Sequence, residues 1–100
     1  MGQVTVEDLE AAVKCRIDII NCQHPPHNSR RFMENAFKKW ACKEILREIQ
    51  ISGDLPFLES AEDILYRLKK KMDSAPGHIM CFSVGADVVD EFIEKCEDRR

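Results

Sequence analysis

The chain has no apolar run near the roughly 20 residues that a bilayer span requires, and its first residues carry neither a basic region nor an apolar signal core. No membrane association and a cytoplasmic location are therefore expected. Glycine is scarce, at four residues, and no glycine-rich phosphate loop, G-x-S-x-G elbow or H-E-x-x-H pair occurs. A non-enzymatic protein without a cofactor is the expectation. The five cysteines, Cys15, Cys22, Cys42, Cys81 and Cys96, form no C-x-x-C pair and mostly fall at apolar positions of helical patterns. They read as free, buried thiols in a reducing compartment. No charge of one sign dominates: a third of the residues are charged, yet the net charge is only −3. Bulk affinity for nucleic acid does not follow from that balance, so any electrostatic function belongs to local faces. Repeats, low-complexity tracts and flexible linkers are absent, and 100 residues suit one domain spanning 1–100.

The stretch from Ser29 to Gln50 is the most informative. At about 100° per residue, Phe32, Met33, Ala36, Phe37, Trp40 and Ala41 share one helical face, while Ala41, Cys42, Ile45, Leu46 and Ile49 share another. A helix that is apolar on two sides in succession needs several neighbours. Residues 29–51 are thus expected to form the central helix of an all-α four-helix bundle, with Trp40 buried. Lys39, Lys43 and Arg47 form an i, i+4 row on its remaining side, facing water or a partner.

Around it, helices are expected at about 5–22, 60–73 and 84–98. Thr5 with Asp8, and Ser60 with Asp63, have capping-box spacing, and Val4 with Leu9 has that of a hydrophobic staple. Val6, Leu9, Val13, Ile17 and Ile20 make the stripe of the first helix, widened by Cys15, Ile19 and Cys22. Pro25 and Pro26 break the chain before the central helix, and Asn28 or Ser29 can cap it. Gly53 supplies its C-terminal stop. Leu55-Pro56-Phe57-Leu58 is apolar enough to be expected across the end of the bundle, with Phe57 buried. Ala61, Ile64, Leu65, Leu68 and Met72 stripe the third helix. His78-Ile79-Met80-Cys81-Phe82 reads as a short extended, buried segment, with Ser83 capping the last helix.

Three constellations are candidates for function. The last helix carries Asp87, Asp90, Glu91, Glu94, Glu97 and Asp98 on one side, a surface for a basic partner, for solubility, or for pairing with Lys39, Lys43 and Arg47 within the fold or across a homodimer. His24 and His27, with Arg30 and Arg31 at the start of the central helix, suggest a site for a phosphorylated ligand or nucleotide, helped by free helix amides. Cys22, His24 and His27 have zinc-ligand chemistry at a spacing that matches no established pattern, and the expectation is no metal. A basic helix could also enter a DNA groove, but Glu34, Glu44 and Glu48 lie among its cations, so nucleic acid is disfavoured.

In its last forty residues, Asp63-Ile-Leu-Tyr-Arg-Leu-Lys-Lys-Lys-Met-Asp73 followed by Phe82-Ser-Val-Gly-Ala-Asp-Val-Val-Asp90, the chain resembles small helical proteins encoded by bacterial phages and prophages. That resemblance implies a role in binding. Some such proteins block host defence systems by occupying a protein surface or by sequestering a nucleotide signal, and no motif carries either role onto particular residues here. The expected function is a non-enzymatic protein-interaction module, a phage-type inhibitor or adaptor acting on a host protein. Small-ligand binding and DNA binding are the alternatives.

Overall fold

A computed structural model describes residues 4–74 and 80–98, the side chains of 80–82 and 98 excepted. Four helices form the expected all-α bundle: α1 (Val6–Asn21), α2 (Arg30–Gly53), α3 (Ala61–Asp73) and α4 (Met80–Asp98). The described residues contain no strand. None of these helices is long and apolar enough to cross a membrane.

Local sequence sets the helix starts. Thr5 accepts from the Asp8 amide at 3.0 Å while the Asp8 carboxylate accepts from the Thr5 amide at 3.2 Å. Ser60 and Asp63 repeat the reciprocal pair. Ser29, rather than Asn28, caps α2 by accepting from the Phe32 amide at 3.1 Å. Each cap satisfies an amide that has no partner within its helix. At the other end α2 runs through Gly53, and Asp54 closes it in right-handed geometry, so the glycine is not the left-handed stop its position suggests.

Packing explains the two apolar faces of α2, which lies against all three other helices, while α1 touches α3 and α4 only sparsely through its backbone. Ala41, Cys42 and Ile45 are buried, and Leu46 and Ile49 pack against the core from its edge. The first turn of α2 behaves differently: Phe32 and Met33 are exposed, and Trp40 is half-buried rather than central. One edge of the Trp40 ring lies over Gly85 of α4, where an added Cβ would sit 3.1 Å from Trp Cζ3. A side chain at position 85 would need the Trp40 ring and the Met72 thioether, whose atoms come within 3.3 Å, to give by a few tenths of an ångström.

Because α1 leans mainly on α2, a single stripe satisfies it. Leu9, Val13 and Ile20 are buried, Val4, Ala12 and Ile17 pack beside them, and Cys15, Ile19 and Cys22 are exposed. The expected widening of the stripe and the burial of those two thiols are corrected accordingly. In α3, Ala61, Ile64, Leu65, Leu68 and Met72 are buried as their spacing predicts.

Two further expectations change. Helix α4 begins at Met80, so residues 80–82 are helical rather than extended, and Ser83 lies inside the helix. An unbroken apolar run carries no period that separates strand from helix. His78 and Ile79 lie outside the described residues. Phe57 is not buried but 60% exposed, and Leu58 beside it is fully exposed. Leu55 alone of this segment's apolar residues tucks partly inward.

The cysteines give a direct check on this packing. Cys42 is fully buried, and burial raises its pKa; Arg16 acts to lower it and Glu91 to raise it. Its thiol is therefore protonated and inert at neutral pH. Iodoacetamide should label Cys15 and Cys22 readily in the native protein, with Cys42 and Cys96 labelled roughly a hundredfold more slowly or less, because they require opening of the bundle. Peptide mapping after timed labelling reads this out. Cys42 reacting at the rate of Cys15 would contradict the packing.

Candidate functional site: a basic groove and an apolar tip

At the α1–α2 end of the bundle, the last turn of α1 and the proline turn face the first half of α2 across an open groove of about 510 Å³. Phe32, Asn35, Ala36, Lys39, Trp40 and Lys43 line it from α2, spaced so that one helix face supplies them all. Gln23, His24, Pro25 and His27 close the other side. Asn35 donates to Gln23 Oε1 at 2.9 Å, tying the wall to the helix. The His27 ring meets Phe32 edge-on, with centroids 4.9 Å apart. Ser29 holds the turn itself, donating from both its amide and its hydroxyl to the Pro26 carbonyl, at 3.0 and 2.7 Å.

The structure thus separates residues that the sequence groups together. His24 and His27 line the groove, but Arg30 and Arg31 do not; both are exposed outside it, and Arg30 pairs with Glu34 at 3.1 Å. Lys39 and Lys43 join the histidines instead. Cys22 is exposed and absent from the groove wall, and no trio of His, Cys, Asp or Glu among the described residues is placed to hold a metal ion.

Three of the six carboxylates on the acidic side of α4 are engaged within the bundle. Glu91 accepts from Arg16 of α1 at 2.7 Å, Asp90 pairs with Lys69 of α3 at 2.5 Å, and Glu97 accepts from the Tyr66 hydroxyl at 2.6 Å. The Lys69 ammonium is held above the ordinary lysine pKa, first by its hydrogen bond to Asp90. On the alkaline side the contribution of the pair is lost as pH rises through that elevated value. Asp87 and Glu94 remain exposed with no ion pair among the described residues, and the Asp98 side chain lies outside them. Among the described residues no ion pair joins Lys39, Lys43 or Arg47 to α4; Arg47 sits 3.9 Å from Glu44 on its own helix.

Sequence reasoning missed the carboxylate at the α2–α3 seam. Glu48 is buried, 4% exposed, on the same side of α2 as Ile45 and Ile49. Arg67 Nε donates to its carboxylate at 3.1 Å, Arg67 Nη2 lies 3.0 Å from the same oxygen and donates to the Glu48 carbonyl at 3.3 Å, and Lys71 donates at 2.7 Å. Arg67 also holds Glu59, in the connection just before α3. Desolvation works against the charged guanidinium, but Glu59 and Glu48 outweigh it and raise its pKa. Arg67 and Lys71, one helical turn apart and opposite an apolar-faced Glu, were the available signal.

This cluster matters to the surface next to it. Glu59 anchors one end of the α2–α3 connection, Leu55 donates to the Ser52 carbonyl at the other, and the Ser60 cap fixes the exit. Between these anchors Phe57 and Leu58 stand out in solvent, with Ile51 also exposed on the last turns of α2. Exposed large side chains on a fixed connection differ from scattered surface leucines.

The described residues therefore define an all-α bundle with a basic groove near the start of α2 and an apolar tip beyond its end, roughly 25 Å apart along the helix. No protein-family model matches the chain, and neither the curated proteins nor the solved structures contain a significant match.

Proposed function

We propose that the protein is a non-enzymatic interaction module, an inhibitor or adaptor that binds a host protein, with Phe57 and Leu58 at the centre of its contact surface. The exposure of both side chains on an anchored connection carries this reading. Binding energy concentrates in a few large apolar anchors, and a segment already held in place loses little entropy on docking. Asp87 and Glu94, which have no ion pair among the described residues, suit long-range steering of association rather than supply of its contact energy. Occupation of a partner's surface is one of the two modes that the phage-protein resemblance implies.

Replacing Phe57 and Leu58 together by aspartate tests it. Both side chains are solvent-facing, so stability should change by no more than about 1 kcal/mol. Association should fall by at least about thirtyfold, the equivalent of one hot-spot residue. Sedimentation velocity reports self-association, and recovery from the producing cells reports a heterologous partner. The double variant retaining every association of the wild type would overturn the proposal. Substituting Asp87 and Glu94 by lysine should change association less and in a salt-dependent way.

A further inference from the structure

We propose that the groove between the end of α1 and the first half of α2 binds a small phosphorylated aromatic compound of the nucleoside phosphate class. Charge is the first argument. Every ionisable group lining the groove is basic or an imidazole: Lys39, Lys43, His24 and His27, with no carboxylate among them. This occurs in a chain whose acidic residues outnumber its basic ones, 18 to 15. Neither Lys39 nor Lys43 has a carboxylate partner among the described residues, whereas Arg30 and Arg47 on the same helix lie near Glu34 and Glu44. Two unneutralised ammonium groups one turn apart, opposite two imidazoles, complement a phosphate that accepts several charge-assisted hydrogen bonds.

The rest of the wall suits an aromatic ring. Trp40 and Phe32 offer flat apolar surface within the groove, where a base can stack at about 1–3 kcal/mol per ring. The Asn35–Gln23 bond uses the amide nitrogen of one and the oxygen of the other. An acceptor on Asn35 and a donor on Gln23 remain for the edge of a base. The volume, about 510 Å³, lies within the range of small-molecule sites. The proline turn and its Ser29 bonds hold the histidine wall in place before any ligand arrives.

Titration with AMP and ATP, followed by calorimetry and by the fluorescence of Trp40, the only tryptophan, tests the site. Saturable binding is expected, with adenosine and inorganic phosphate each at least about tenfold weaker because each lacks half of the contacts. The paired Lys39→Glu and Lys43→Glu variant should lose binding while keeping its circular dichroism spectrum. Should that variant unfold, Lys39→Gln with Lys43→Gln must lower affinity by at least about tenfold. Absence of saturable binding at millimolar AMP and ATP, or unchanged affinity in the folded lysine variant, overturns the proposal. Preference for a short single-stranded oligonucleotide over both nucleotides also overturns it, in favour of a nucleic-acid surface. The Phe57→Asp, Leu58→Asp protein should bind AMP as the wild type does, so this site and the apolar tip stand or fall separately.

Discussion

Truncation of Phe92 to alanine should destabilise the protein by about 3–4 kcal/mol. Phe92 is 2% exposed and belongs to the central cluster with Leu9, Val89 and Cys96. Its ring also lies under the Arg16 guanidinium at 5.5 Å and beside the Lys95 ammonium at 5.3 Å. Backbone contact between α1 and α4 is sparse, so this ring and the Arg16–Glu91 pair provide much of what joins them. The loss takes up a large part of the 5–15 kcal/mol available to a domain of this size and should lower Tm by roughly 15 °C. Phe92→Leu retains most of the buried area while removing the cation–π contacts, and should cost only about 1–1.5 kcal/mol. Urea titrations of both variants measure the difference; a cost below about 1 kcal/mol for Phe92→Ala would contradict the packing described.

Replacement of Arg67 by methionine should cost about 2–3 kcal/mol, more than replacement of either carboxylate it holds. Methionine keeps most of the side-chain volume, so the effect isolates charge. Glu48 and Glu59 have side chains only 5% and 11% exposed, and without Arg67 the remaining cation, Lys71, reaches Glu48 alone and leaves Glu59 unneutralised. The figure lies below that for breaking a fully buried pair because Arg67 itself is 27% exposed. Glu48→Gln, which preserves the packing and an acceptor for Arg67, should cost about 1 kcal/mol. Thermal melts compare them, and equal stability of Arg67→Met and wild type would show that the cluster contributes nothing net. The same variant frees Glu59 from its anchor, so it should also weaken partner binding through the α2–α3 connection, which Glu48→Gln should not.

The fold was legible where the physics is local. Capping boxes at Thr5 and Ser60, the proline break at Pro25 and Pro26, and the i, i+3, i+4 stripes of α1 and α3 all appear as their spacing predicts. The errors arise where tertiary context decides. Cys15 and Ile19 are exposed because α1 leans on one main neighbour, which periodicity cannot state. Phe57 and Leu58 are apolar and nonetheless exposed, and hydrophobicity alone assigns such residues to a core. The start of α4 was misplaced because an unbroken apolar run has no period.

The sites show the same division. His24 and His27, candidates for a ligand site by residue type, line the groove. The sequence groups them with the nearest cations, Arg30 and Arg31, whereas the helix geometry brings Lys39 and Lys43. On α4, composition marked six carboxylates as one surface, but Arg16, Lys69 and Tyr66, distant in sequence, engage three of them. Long-range partners of this kind are what a helical pattern cannot supply. For that reason Asp87 and Glu94 are better probes of an acidic contact surface than Asp90 and Glu91, whose replacement also breaks intramolecular pairs.

The most direct test of the central claim places a photo-crosslinking residue at position 58 and, in separate proteins, at positions 38 and 94, followed by irradiation in the producing cells. The account predicts one discrete adduct from position 58, lost when Phe57 is changed to aspartate, and little from the other two. A discrete adduct from position 94 or 38 with none from 58 would contradict it and move the contact surface away from the α2–α3 connection.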